Sequence, residues 1–173
     1  EKFDLIHFHG LGQLSLAPIF SAHKLKIPSI VTLHDYWFIC DRWHMIKHDQ
    51  SLCSGPDSIE KCAMCFLEAR GMDMKQINLA LNYQSMRKSY MKKAFSIFTH
   101  RYAPSKFLAD TFAKFGFSDI EVAPLGLSSL PQCPKRKTTK NPTKLGYAGQ
   151  FIPRKGIDTL LQAIQILDDP SIS

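Results

Sequence analysis

The feature that most constrains this chain is the alternation of short apolar runs with segments of helical period. "FDLIHFHG" (Phe3–Gly10) and "IPSIVTLHD" (Ile27–Asp35) are short and rich in β-branched or aromatic residues, which suit a pleated, packed surface. Between them, "LSLAPIFSAHKLK" (Leu14–Lys26) carries Leu14, Ala17 or Pro18, Ala22 and Leu25 near one stripe. Pro18 falls in the first turn, where a missing N–H costs least. Helical period returns over Ser58–Arg70 and over Lys75–Phe95, a strand is expected over Ser96–Tyr102, and a helix over "SKFLADTFAKFGF". Ser105 stands where an N-cap hydroxyl belongs and Gly116 where a glycine ends a helix. A fourth strand is expected over Ile120–Pro124. Apolar strands alternating with helices predict an α/β fold, a Rossmann-like parallel sheet flanked by helices on both faces.

The pattern breaks twice. From Tyr36 to Asp57 the chain is long and irregular, and loops of that length usually carry function, are held by a metal or are disordered. From Ser128 the text "SSLPQCPKRKTTKNPTK" holds three prolines, five basic residues and no acid, a linker composition. The pattern then restarts: "KLGYAGQF" reads as a strand and "GIDTLLQAIQIL" as a helix. Three regions follow: residues 1–127 as a first domain, 128–143 as a linker, and 144–173 as the start of a second domain. The chain opens on Glu1, almost on top of a strand, which reads as a piece of a longer protein.

Within the helix expected over Lys75–Phe95, Leu79, Tyr83, Met86, Tyr90 and Ala94 share one face. Gln84, Lys88 and Lys92 lie on another, read as a solvated basic surface.

Three groups of residues point to chemistry. Ligands of doubly wound sheets bind outside the carboxyl ends of the strands. "HFHG" and "TLHD" both place histidines there, so His9 with Gly10, and His34 with Asp35, are expected along one rim. An imidazole there can exchange a hydrogen bond with a hydroxyl or phosphate oxygen. The second group is "YAGQFIPRKGIDTLL". Arg154, Lys155 and Gly156 sit in a turn that opens a helix, where free N–H groups and the positive dipole end favour an anion. The spacing is not that of a P-loop. The third group is Cys40, Cys53, Cys62 and Cys65. Four thiolates in 26 largely irregular residues suit a tetrahedral structural zinc, with His44 and His48 as substitute ligands and an iron–sulfur cluster as the weaker option. Cys133 stands apart as a free thiol.

The chain has 22 basic and 15 acidic residues, a net charge of +7. That balance alone admits nucleic acid, an anionic membrane face or a phosphate-bearing substrate. The basic residues are spread over several segments without an aromatic–basic recognition motif, so nucleic acid is not expected. No apolar run reaches the length of a membrane span.

Together these motifs resemble the retaining GT-B glycosyltransferases of glycosyltransferase family 4. "FDLIHFHG" resembles the strand before the family's interdomain cleft. "VTLHDYWFICDRWHMI" resembles an acceptor-side segment that usually has proline where this chain has Asp41. "YAPSKFLADTFAKFGF" with "IEVAPLGL" resembles the end of the acceptor domain, and "LGYAGQFIPRKGIDTLLQAI" the start of the nucleotide-sugar domain. The resemblance implies transfer of a sugar, with retention, from a nucleotide-diphosphate sugar to a glycan or lipid-linked acceptor. It places His34 at the reacting end of the cleft and His9, Gly10 and Asp35 on the acceptor side. Lys155, Arg154, Gly149 and Gln150 fall on the donor side, and Gln150 stands where many relatives have arginine. No cofactor is required for the implied step. The implied setting is the cytoplasm, with the basic surface available for peripheral contact at the inner face of a membrane. The alternatives are a GT-B nucleotide-sugar epimerase or phosphorylase, or a basic nucleic-acid-binding module.

Overall fold

The computed structural model describes residues 3–12, 14–126, 129 and 144–169. The chain divides into two compact units, Glu1–Gly126 and Leu127–Ser173. The expected linker, apart from Ser129, lies outside the described residues, as does Cys133.

The first unit is a four-stranded parallel sheet in the order β1-β2-β3-β4: β1 (Ile6–His9), β2 (Ser29–Thr32), β3 (His100–Ala103) and β4 (Glu121–Val122). Helix α1 (Ala17–Lys24) joins β1 to β2, and α4 (Lys106–Lys114) joins β3 to β4. The connection from β2 to β3 carries the long irregular loop, α2 (Ile59–Arg70) and α3 (Ile77–Ile97). Register is strict, with Phe8 beside Val31 and His9 beside Thr32, and Thr32 beside Tyr102. Every crossover steps the same way along the sheet, and right-handed crossovers of that kind place their helices on one face. Phe8, Val31 and Ala103 are buried on that face. On the opposite face His7, His9 and His100 are exposed among the described residues, which corrects the expectation of helices on both faces. The core is aromatic. Phe38, Phe95, Phe98, Phe112 and Phe117 meet mostly edge to face, the geometry the ring quadrupole favours.

The capping signals read at Ser105 and Pro18 hold: Ser105 Oγ accepts from the Leu108 amide, and Pro18 lies in the first turn of α1. Ser58, not singled out in the sequence, caps α2 in the same way, its Oγ accepting from the Lys61 amide. Other expectations fail for physical reasons. Ser96 and Ile97 remain helical, and the strand begins only at His100, where pairing with Ile30 starts. In α1 the buried side chains are Ile19 and Ala22, while Leu14 and Leu25 are exposed. In α3 the face expected to be apolar and inward is turned outward: Leu79, Met86 and Tyr90 are 61%, 59% and 50% exposed. Of that face Ala94 is buried, beside Ala80, Gln84, Met91 and Phe95 from its neighbours. Small residues decide this orientation. Ala63 of α2 and Ala80 of α3 are both in the small core that these helices share with Leu67, and close helix approach needs small side chains at the contact.

In the second unit, α5 (Ile157–Leu167) follows a short 3-10 turn over Pro153–Lys155. Residues 144–151 form no strand. A strand exists through its ladder, and no described residue of this unit offers one. No helix among the described residues is long and apolar enough to cross a membrane.

Candidate functional site

The rim expected at the carboxyl ends of β1 and β2 is present, and the ladder builds it. In parallel strands, side chains two residues apart share a face. Because His9 is level with Thr32, His7, His9, Thr32 and His34 emerge on one side. His9 Nδ1 and His34 Nε2 lie 2.9 Å apart, a hydrogen bond between two imidazoles. His7 Nε2 meets Thr32 Oγ1 at 2.8 Å, and the His7 and His9 rings lie 4.0 Å apart at their centroids. Lost hydration, then the nearby His7 and His34, hold the His9 imidazole below its ordinary pKa. Gly10 turns the chain out of β1 at φ +56, a left-handed conformation that suits glycine. It lines a shallow depression with Leu11, His34 and Asp35.

Asp35 has a structural task beside any contact with substrate. Its Oδ1 accepts the Trp37 amide at 2.9 Å, which turns the chain sharply after β2. That turn drives Trp37 and Phe38 into the core, while Tyr36 stacks on Phe112. Tyr36 and Trp37 therefore pack beneath the loop.

The loop from Tyr36 to Asp57 is irregular, with one isolated bridge between Ile46 and Leu52. Backbone bonds such as those from the Tyr36 amide to the Trp43 carbonyl and from the Cys53 amide to the Met45 carbonyl fold it on itself, and side-chain contacts tie it to α2 and α3. Asp41 is their hub: its carboxylate takes Arg70 at 2.9 Å, Arg87 at 3.4 Å and the Tyr83 hydroxyl at 2.8 Å. The Arg87 side chain is only 8% exposed and also donates to the Trp37 carbonyl. Farther along, the Lys61 ammonium donates to the Ser54 hydroxyl at 2.7 Å and the Gly55 carbonyl at 2.9 Å, and pairs with Asp57. At Gly55 (φ +120) a Cβ would meet the Phe115 ring at 1.9 Å, so only glycine fits.

These anchors bring Cys40, Cys53, Cys62 and Cys65 to one cavity of about 740 Å³ between the loop, α2, α3 and the end of α4. All four are free thiols. Burial, then the neighbouring Cys40, Cys53 and Cys65, push the Cys62 thiol up to about 11. As the side chains stand, no three or more His, Cys, Asp or Glu among the described residues are placed to hold a metal ion. The Gln84 amide nitrogen is buried without a hydrogen-bond partner and lines the same cavity, with Lys88 and Lys92 at its rim. The face read as a plain solvated surface is therefore in part a cavity wall.

In the second unit, Arg154 and Lys155 are exposed on the 3-10 turn. Helix α5 opens behind them from Gly156 with no side-chain cap. The Tyr147 hydroxyl donates to the Gln150 carbonyl at 3.0 Å, closing the Gly149 turn.

Sequence reasoning missed His7 and Thr32 as companions of His9. The signal was the two-residue spacing in "IHFH", which puts His7 and His9 on one face. Asp41 with Arg87 was missed as well. Their separation of 46 positions leaves no local signal.

No curated protein and no solved structure matches this chain. The family model for Glycosyltransferase Family 4 matches residues 1–128, the stretch that holds the sheet, the histidine rim and the cysteine loop. That match covers well over half of the chain, and the parallel α/β sheet is consistent with it; the chain belongs to glycosyltransferase family 4.

Proposed function

We propose that the protein is a retaining glycosyltransferase of GT-B architecture that moves a sugar from a nucleotide-diphosphate sugar to a glycan or lipid-linked acceptor. The observation that carries this reading is the hydrogen-bonded pair His9–His34 at the strand ends of a family 4 domain. The contact uses one ring nitrogen of each histidine, so the second nitrogen of His34 serves a hydroxyl of the sugar or acceptor. His9 and the His7–Thr32 pair hold the His34 ring in place. Gly10 leaves the floor of the site low.

On the donor side, Arg154 and Lys155 with the uncapped start of α5 bind the diphosphate, and Gly149 and Gln150 form the turn beside it. The bond from the anomeric carbon to the diphosphate breaks, and the leaving group gains negative charge as it departs. Donors aimed at that charge lower the barrier, and preorganised electrostatics of this kind supply most of the rate enhancement in many enzymes. Asp35 fixes the turn that carries the acceptor side. The +7 net charge supports peripheral contact with an anionic membrane face.

Steady-state kinetics of the complete transferase test this reading. Charge-assisted hydrogen bonds are worth about 1.5–3 kcal/mol each. Lys155→Ala is therefore expected to lower donor use ~10- to 100-fold with acceptor dependence little changed, and Lys155→Arg to restore it in part. His34→Ala is expected to cut turnover at saturation of both substrates by ~100-fold or more. Wild-type donor dependence in Lys155→Ala, or wild-type turnover in His34→Ala, would overturn the corresponding assignment.

A further inference from the structure

The cysteine cavity is left over from this chemistry. Cys62 and Cys65 lie one turn apart on α2, so both face the same side. Cys40 and Cys53 come from the loop, and the fold holds each against α2 by its own clamp. Next to Cys40, Asp41 is bound to Arg70 of α2 and to Tyr83 and Arg87 of α3. Next to Cys53, Ser54 and Gly55 are bound by Lys61, the neighbour of Cys62. Two unrelated sets of polar contacts thus converge the four thiols on one cavity. The Gly55 amide donates to Cys53 Sγ at 3.4 Å, and Cys53 Sγ donates to the Gly55 carbonyl at 3.7 Å, so the sulfur is held at the turn.

We propose that Cys40, Cys53, Cys62 and Cys65 bind one zinc ion, which closes the 36–57 loop onto α2. Four Zn–S bonds form and four thiol protons leave to water, so the cluster carries two negative charges. Lys61, beside Cys53 and Cys62, and Arg42, beside Cys65, face that charge. The sulfurs are not in ligand geometry as they stand, so binding draws the four thiols together. The ion is structural: four protein ligands leave no open position for substrate, and the site is built from elements other than the histidine rim. A redox disulfide pair is the competing chemistry for Cys62 and Cys65.

The test uses the complete protein, purified under reductant without chelator. Metal analysis is expected to find about one zinc per chain. Native alkylation should spare the four thiols, and chelation should expose all four. Cys62→Ser should lose the metal, whereas Cys133→Ser should keep it. If Cys62→Ser fails to fold, cobalt substitution of the wild-type protein gives the reading. Tetrahedral thiolate bands support the site, and their absence overturns it. Equal alkylation of all five thiols with and without added zinc would overturn it too, as would an intact mass showing disulfides among the four.

Discussion

The histidine rim and the cysteine loop both leave β2 within a few residues of each other, yet they are positioned by opposite means. The rim is set by backbone. Once β1 pairs with β2 in register, His9 and His34 meet with no further instruction. The loop pairs its backbone only with itself, as from the Tyr36 amide to the Trp43 carbonyl and from the Cys53 amide to the Met45 carbonyl, and it is tied to α2 and α3 by a few side chains reaching across 29 to 46 positions of sequence. Geometry that rests on a ladder survives the loss of any one side chain. Geometry that rests on a hub does not.

The sharpest way to break this contrast is Asp41→Ala. It leaves the Arg87 guanidinium, almost fully buried, without its carboxylate. Removing one partner of a buried ion pair costs about 3–5 kcal/mol, and Asp41, 15% exposed, belongs near the lower figure. Urea denaturation should show a loss of about 3 kcal/mol, with faster proteolysis between residues 36 and 57. Asp41→Asn, which keeps hydrogen-bond acceptors, should lose less. The histidine resonances of the rim should stay where they are. A loss under about 0.5 kcal/mol for Asp41→Ala would mean that the loop does not depend on its hub.

A smaller effect sharpens the other half of the contrast. The His9 pKa is lowered in the folded chain from 6.5, so the unfolded chain takes up its proton first as pH falls. The contribution of neutral His9 is whole above about 6.5. It fades as pH drops through the lowered folded value. Protonating His9 beside His34 and His7 also brings like charges together. Denaturation at pH 7.5 and pH 5.5 should therefore show a modest acid loss that His9→Gln makes shallower. An unchanged slope in His9→Gln would remove the pair from the pH response.

The same contrast explains what could be read in advance. The order of strands and helices, the cap at Ser105, and the placing of His9 and His34 at strand ends follow from local pattern. The inward face of α3 does not, because it depends on where Ala63 meets Ala80, and the apolar stripe of Leu79, Met86 and Tyr90 gave the wrong answer. Asp41 was visible only as a departure from the usual proline. Its value lies in Arg70, Tyr83 and Arg87, which no window of sequence joins to it. At residues 144–151 the strand pattern is present, but a pattern does not supply a partner.

The uneven spacing of the crossovers also has a kinetic meaning. β1 returns to β2 through residues 10–28 and β3 to β4 through residues 104–120, whereas β2 reaches β3 only after residues 33–99. Closing the longer segment costs about 1 kcal/mol more chain entropy than either short one, and pairings distant in sequence form more slowly. Assembly is therefore expected to begin as two separate βαβ units that later dock along the β2–β3 seam. The bonds of that seam, from the Leu33 amide to the Tyr102 carbonyl and from the Thr99 amide to the Ser29 carbonyl, should be among the last to gain protection in pulsed hydrogen exchange. The midline of the sheet is thus the joint where the molecule is completed, and protection there before the outer pairs would reverse that order.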